Sequence, residues 1–568
     1  MKGRISGVVA ALASLATTVV ACNVIVGVRD VEVDDTVRGD ALADALSDDP
    51  RADASTDATV DGTKPGSLGG AVHFLQAGTL VLTNGGVDAV VTANGPFSFG
   101  ETFKPTDTYD VKVKTQPANQ HCWVRAGTGT IGAGVGSLDV RCVTALRSIS
   151  TATAHVGTSS TTFAPMTDVA QIAISSDIAA TALVSLAVPQ MNAYYYSFTE
   201  YAVAIDVDGV VASEASYTSE YWNAPYPASV MATVSLAPGE HVVRAVWRYV
   251  GQISVGTMLW TAEKVSRLYQ WTIGTPAAST TPSRAELDVV LLDSLSVFDK
   301  AVTSVSTLPA QVKSGDAPTN MAITPLAFTS SAQAALLLLE APRIVGDNNT
   351  ARVRLDGTAL SAQHVSYEGQ ASVTRSFAPL ALASLTAGPH AVDVSWDAVG
   401  PPGSSVARGG PGAIIAPRAE LTALLFRPGA IVASARSTTP IALPTSAFTV
   451  VSGSNGPLSA QVNLPAPRKA LVYTDATTAY VNAQDGTGEL GIFVNGTLGP
   501  LAVVQHPSCA CAGLAQGFTV VGVVDLPAGV STVELRVRSV YPVNGSVHVG
   551  EGRTLADSHV GLGVVVLE

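Results

Sequence analysis

Charge is scarce in this chain. Lys, Arg, Asp and Glu together make up 14% of its 568 residues, where soluble proteins carry roughly 25%. That excludes a coiled coil or a charge-rich helical bundle. The charge that exists is mostly acid, with a net −13 and no Lys/Arg cluster. A nucleic-acid partner is therefore excluded, because phosphate binding needs a basic patch. Aromatics make up only 6% and cysteines number five. Apart from the extreme N-terminus, no apolar run approaches the roughly 20 residues of a membrane-spanning helix. Also missing are HExxH, GxSxG, phosphate-loop, dinucleotide-binding and zinc-ribbon patterns. No catalytic residue, metal site or cofactor is indicated.

What remains is apolar and rich in turns. Hydrophobic residues make up 47% of the chain, with 51 Gly and 32 Pro. Abundant Val, Ala, Thr, Ser and Gly read as many short strands, and the length suggests about four domains. The expected fold class is all-β.

The first 21 residues read as a targeting segment. Lys2 and Arg4 precede an uncharged stretch over 7–20 that ends in Val19-Val20-Ala21-Cys22. That stretch is too short to span a bilayer and suits a signal peptide. Its end resembles the lipobox of bacterial lipoproteins, with Val19 where Leu is commonest. The resemblance implies cleavage before Cys22 and lipidation of Cys22, so the membrane is a partner through that cysteine. Asn23 follows the anchor in place of Asp, so the inner-membrane retention known for some lipoproteins is not indicated. The outer membrane is the expected location, with its face open. Over 22–66, eleven Asp and Glu face four Lys and Arg, and aromatics are absent. Such a segment buries too little apolar surface to offset its ordering entropy, which predicts a disordered acidic tether.

Residues 67–143 read as a small β-domain. Asn84-Gly85-Gly86 and Asn94-Gly95 are turn signals between apolar runs. Cys122 and Cys142 are 20 residues apart, and an exported chain should join them in a disulfide. The stretches Ala93-Asn94-Gly95, Phe97, Phe99, Tyr109, Thr115-Gln116-Pro117, Gln120, Cys122, Gly127, Gly129-Thr130 and Cys142 match a core of "ANGxFxF…YxVxVxTQPxxQxCxVxxGxGT…VxC". They resemble an immunoglobulin-like repeat of exported bacterial proteins. That resemblance implies a sandwich that serves as a spacer or adhesion unit.

The remainder repeats three times, over 144–297, 298–427 and 428–568. Alternating strands end in Asp208-Gly209, Asp356-Gly357 and Asn495-Gly496, a hairpin signal of the type I′ kind. Thirty to thirty-three residues later come "LAPGEHVVRAVW", "LTAGPHAVDVSW" and "LPAGVSTVELRV". One side of each of these strands is apolar and the other polar. An apolar strand closes each unit, beginning at Leu287, Leu421 and Leu562. Units of this size suit a β-sandwich or jelly roll. The late signature resembles jelly-roll heads of complement and tumour-necrosis-factor type, which work as trimers. That resemblance implies an intramolecular pseudo-trimer, against the alternative of a linear array.

Three features carry the functional reading. His241 and His390 share one offset in two repeats, where Ser531 stands in the third; this reads as structural. Cys509-Ala510-Cys511 follows His506; export and the even count of cysteines left after Cys22 favour a Cys509–Cys511 disulfide, the alternatives being a soft-metal site with His506 and free or intermolecularly paired thiols. Finally, the window 194–226 holds nine aromatic residues. Tyr194, Tyr195, Tyr196, Tyr221, Trp222 and Tyr226 are the ligand-binding candidates within it, on loops that could stack against glycan or protein. The expectation is a non-catalytic envelope protein that binds or adheres. The alternatives are an exported carbohydrate-active hydrolase with loop-borne carboxylates and a pure structural spacer.

The anchor is directly testable. Cys22→Ala should leave the chain unprocessed or release it from membrane fractions. Mature-sized Cys22→Ala protein that still sediments with membranes would contradict the lipid anchor.

Overall fold

The computed structural model describes residues 67–568 apart from 105, 132–135, 152–157, 159, 194–198, 220–225, 253–270, 273–283, 307–318, 321–322, 332, 346–348, 367–373, 399–418, 483–485, 506–514, 542–544 and 552–557. Cys22, the acidic segment, Tyr194, Tyr195, Tyr196, Tyr221, Trp222, Cys509 and Cys511 lie outside the described residues. The architecture is all-β. The helical element among the described residues is a short 3-10 turn, Leu292–Ser294, and no helix among them is long and apolar enough to cross a membrane.

Residues 67–143 fold as two four-stranded sheets. Cys122 and Cys142 sit directly opposite each other on neighbouring strands, His121–Arg125 and Gly136–Val143, and form a disulfide. Closing a loop of this length contributes roughly 3 kcal/mol on the chain-entropy account. The domain is docked on repeat 1. Phe74, at φ +63°, leaves its own sheet and buries its ring in the core of repeat 1. Asp177 fixes that turn by accepting from the Phe74 amide at 3.1 Å and pairing with His73 Nδ1 at 2.6 Å. The Trp123 indole donates to the Ser294 carbonyl at 2.9 Å.

The three repeats share one plan, a sandwich of two antiparallel sheets. In repeat 1 the inner sheet runs Tyr226–Leu236, Ala180–Ala193, Glu286–Leu291, Ala145–Ile149. The outer sheet contains Gly239–Gln252, Thr199–Val207 and Val210–Ser219. Val210–Ser219 will be called the arm; Thr358–Ser366 and Thr497–Gln505 are its counterparts in repeats 2 and 3. The hairpins leading into the arms have positive φ at both turn residues, Asp208/Gly209, Asp356/Gly357 and Asn495/Gly496. These are the type I′ turns the sequence announces, and Gly supplies the second positive φ without steric cost. The alternating faces also fall as expected, with Val243, Ala245 and Trp247, then Val392, Val394 and Trp396, then Val533, Leu535 and Val537 all buried.

The closing strands do not alternate. Every residue of Glu286–Leu291 and of Val560–Leu567 is buried. A strand reads as a continuous apolar run when both faces of its sheet are covered. One face packs inside its own sandwich. The other meets the neighbouring repeats in a shared core that includes Leu183, Met231 and Val290 of repeat 1, Leu336, Leu380 and Leu424 of repeat 2, and Leu471, Val521 and Val565 of repeat 3. Burying each such side chain stabilises by roughly 2 kcal/mol.

Contacts between the repeats close a ring. The arm of repeat 1 rests on Ala334–Val345 and Thr374–Phe377 of repeat 2. The arm of repeat 2 rests on Arg468–Val481 and Ala515–Leu526 of repeat 3, pairing Val365 with Gln516 and Ser366 with Ala515. The arm of repeat 3 rests on Ala180–Ala193 and Tyr226–Leu236 of repeat 1. Beads in a row would leave repeats 1 and 3 apart.

Each seam hides a carboxylate. In seam 1–2, Glu340 accepts from the Ser213 hydroxyl and the Met231 amide. Glu340→Ala should strand both donors, at a cost of roughly 3 kcal/mol. Denaturant melts would check this, with Glu340→Gln expected to lose less. Equal stability of Glu340→Ala and the parent would contradict the seam.

Candidate functional site

Each arm leads back to the same place in the ring. Ser213 and Ser361 lie five residues beyond the turn residues Asp208 and Asp356, and Pro500 lies five beyond Asn495. Strand register makes Ala187, Glu340 and Asp475 equivalent, because they follow Leu186, Leu339 and Thr474, the partners of Leu287, Leu421 and Leu562. Ser213 donates to Glu340 and Ser361 donates to Asp475. One hydroxyl–carboxylate contact therefore recurs in two seams.

Asp475 is the most elaborately held of these acids. It is fully buried and also accepts from Gln363 Nε2 at 2.9 Å and Thr519 Oγ1 at 2.8 Å. His559 Nε2 lies 3.3 Å from its other oxygen, and Arg436 Nε donates to His559 Nδ1 at 2.9 Å. Burial pushes His559 below the usual imidazole range. A neutral ring, accepting from Arg436 at Nδ1, thus lies between a guanidinium and a carboxylate.

A small polar cavity, partly open to solvent, sits where the three repeats meet. Repeat 1 contributes Tyr217, Pro227 and Ser229, repeat 2 Gln363, Ser376 and Ala378, and repeat 3 Gly517, Phe518 and Thr519. The Tyr217 and Ser376 hydroxyls share a hydrogen bond at 2.9 Å. The lining is neutral, and the enclosed space of about 10 Å³ is no more than one water would fill. It is a packing junction rather than an active-site cleft.

The histidine pair is held by the turn aspartates. His241 Nδ1 bonds Asp208 at 2.7 Å and its Nε2 bonds the Ala237 carbonyl at 2.7 Å. His390 repeats this with Asp356 at 2.7 Å and the Thr386 carbonyl at 2.9 Å. In repeat 3, Asn495 and Ser531 replace the pair with a neutral bond at 3.3 Å. Two acceptors require both ring nitrogens to carry protons, so the motif is an imidazolium clamp on a hairpin. The alignment of His with the turn Asp was the signal available in the sequence.

Of the nine aromatics in the window 194–226, Tyr201 and Tyr217 are buried in the repeat 1 core and do not form an open platform. Tyr226 starts the strand Tyr226–Leu236, with its backbone opposite Met191. Tyr194, Tyr195, Tyr196, Tyr221 and Trp222 are outside the described residues. Among the described residues, no group of His, Cys, Asp and Glu is arranged to hold a metal ion.

No protein-family model matches the chain, and no curated protein matches it. Among solved structures, PNGF-II aligns in two crystal forms. The form in space group C2 is 8% identical over 68% of this chain and 98% of that chain, with a TM-score of 0.19. The form in P21 is 10% identical over 86% and 99%, with a TM-score of 0.20. Likeness at that TM-score carries no argument, and function has to be read from this chain's own residues.

The histidine environments predict a split titration. The Asp208 carboxylate first, and the Ala237 carbonyl, raise His241 above the usual imidazole value; the Thr386 carbonyl and Asp356 raise His390. Burial lowers His548 and His559 and brings His121 down to about 4. The two raised histidines contribute stability that is fully present below pH ~6.5 and is lost as pH rises through their folded values. Asp208 and Asp356, held low by their histidines and by the Val242 and Ala391 amides, contribute above pH ~4 and lose this as pH falls. Imidazole NMR titration should place His241 and His390 above the free value and His121, His548 and His559 below it. A common midpoint for all five would contradict these contacts.

Proposed function

We propose that this chain is a lipid-anchored envelope protein whose three sandwich repeats form an intramolecular pseudo-trimer that binds a glycan or protein ligand without catalysis. The observation that carries the reading is the ring of seams. It makes the three repeats one head, so a difference confined to one repeat acts on the surface of the whole. The anchor rests on Cys22 and the residues before it, with the outer membrane as the site. The domain over 67–143 is proposed as an immunoglobulin-like module that carries the head, and its docking on repeat 1 supports a fixed connection.

Topology supports the choice of binding end. The arms are followed by the connections 220–225, 367–373 and 506–514, which enter Tyr226–Leu236, Thr374–Phe377 and Ala515–Leu526. Pro227, Ser376 and Gly517, within the first three residues of those strands, line the junction cavity. Tyr221 and Trp222 therefore belong to one of three equivalent connections, and Cys509 and Cys511 to another. Aromatic faces suit sugar rings or peptide because a flat ring buries apolar area at low entropic cost. The buried strand acids do not serve the hydrolase alternative, which needs carboxylates on loops. Glu286, Glu340, Glu420 and Asp475 are all nine-tenths or more buried, and seam contacts occupy Glu340 and Asp475.

A polysaccharide and cell-surface array tests this reading. Tyr195→Ala and Trp222→Ala should weaken retention about tenfold, or about 1.4 kcal/mol, with the melting temperature nearly unchanged. Unchanged retention, or a collapse in melting temperature, would remove the recognition role and leave a tethered scaffold.

A further inference from the structure

Two seams satisfy their buried carboxylate from a neighbour's hydroxyl. The third cannot. Pro500 stands where Ser213 and Ser361 stand in the other arms, and proline has neither hydroxyl nor amide hydrogen to donate. The set of acids differs as well. Ala187 occupies the Glu340 and Asp475 position, and the acids here are Glu286 and Asp288 of the closing strand, whose counterparts are Glu420 and Thr422 in repeat 2 and Gly561 and Gly563 in repeat 3. These two carboxylates are 8% and 1% exposed. Across the seam they meet Gly522, where a Cβ would lie 2.6 Å from Pro500, 3.3 Å from a Glu286 oxygen and 3.5 Å from an Asp288 oxygen. The absence of a side chain at Gly522 lets repeat 3 backbone approach both carboxylates.

The charges do not balance. On the adjoining strand Ala145–Ile149, Arg147 pairs with Glu286, and its Nε stays 3.8 Å from Asp288 Oδ1. That oxygen has no hydrogen-bond partner. From repeat 3, the Val523 amide donates to Asp288 Oδ2 at 3.3 Å. Lys469 on Arg468–Val481 is committed to Asp525 at 2.9 Å and acts on Asp288 only through its field. Two buried acids share one guanidinium, which favours one of them being neutral.

We propose that a proton held by the Glu286–Asp288 pair keeps the seam between repeats 1 and 3 closed, and that its loss in alkaline solution loosens this seam alone. The chemistry is a proton-dependent latch, and it is independent of what the head binds. The direction of titration agrees. Burial first, then the Glu286 charge, push Asp288 up to about 8, and burial raises Glu286 as well. A raised acid contributes stability that is complete below its free value near pH 4 and is lost as pH rises through about 8.

The test is amide hydrogen exchange on the full chain at pH 6 and pH 9, corrected for base catalysis. Two amides are compared, Val523 in this seam and Met231 in seam 1–2. The proposal expects protection at Val523 to fall by up to about a hundredfold, the two pKa units between pH 6 and the folded value of about 8, with Met231 unchanged. Asp288→Asn, a neutral isostere, should abolish the difference. Pro500→Ser, which supplies the hydroxyl found in the other arms, should reduce it and decides the matter if Asp288→Asn does not fold. Equal loss at both amides, or an undiminished fall at Val523 in both variants, would overturn the latch.

Discussion

The structure turns on a sheet with two faces to bury. In each repeat the inner sheet packs one face inside its own sandwich. The other face is just as apolar, as Leu336, Leu338, Leu424, Val521, Val523 and Val565 show. Left in water, such a surface would be an exposed patch of the kind monomeric proteins avoid. Each repeat hides it under its neighbours, and three repeats are enough to close the set. The arms follow from this constraint: each one crosses onto the next inner sheet and covers what the shared core leaves open. The ring thereby explains two things that a string of independent domains would not, namely the continuous burial of Glu286–Leu291 and Val560–Leu567 and the acids in the seams.

The seams also show how one scaffold tolerates unequal chemistry. Glu340 and Asp475 are each met by donors from the preceding repeat, so charge can be buried with its hydrogen bonds made. Pro500 cannot repeat that contact, and the Glu286–Asp288 pair is left with Arg147 and one backbone amide. Buried acids contribute little net stability compared with apolar packing. Their value here is registry: a hydroxyl aimed at a carboxylate fixes which residues of the arm face which residues of the next sheet. Where the hydroxyl is missing, registry comes to depend on protonation.

Much of this fold can be read in the sequence, because its signals are local. Asp208-Gly209, Asp356-Gly357 and Asn495-Gly496 determine turn type within two residues. Alternation through Val243, Ala245 and Trp247 determines a buried face within five. The Cys122–Cys142 pair is expected from its 20-residue spacing on the reading of an exported chain. The seams could not be read in that way. Ser213 meets Glu340 and Ser361 meets Asp475 more than a hundred residues along the chain, and neither residue type announces a partner at such range. Phe74 looks like a loop residue in sequence and belongs to the core of a different domain. His241 was visible as a repeated offset, but its pairing with Asp208 required the hairpin and the following strand to be placed side by side. The candidate site was legible only as a composition bias in one repeat. Tyr201 and Tyr217, which share that bias, serve packing, so aromatic density alone does not separate a binding surface from a core.

The central claim is that repeats 1, 2 and 3 close on one another. Small-angle scattering from a chain beginning at Thr63 tests it most directly. A closed ring should give a single-peaked distance distribution and a radius of gyration of roughly 23 Å, the value expected for a compact chain of this length. A skewed distribution with a long tail, and a radius half as large again, would show a linear array and contradict the account.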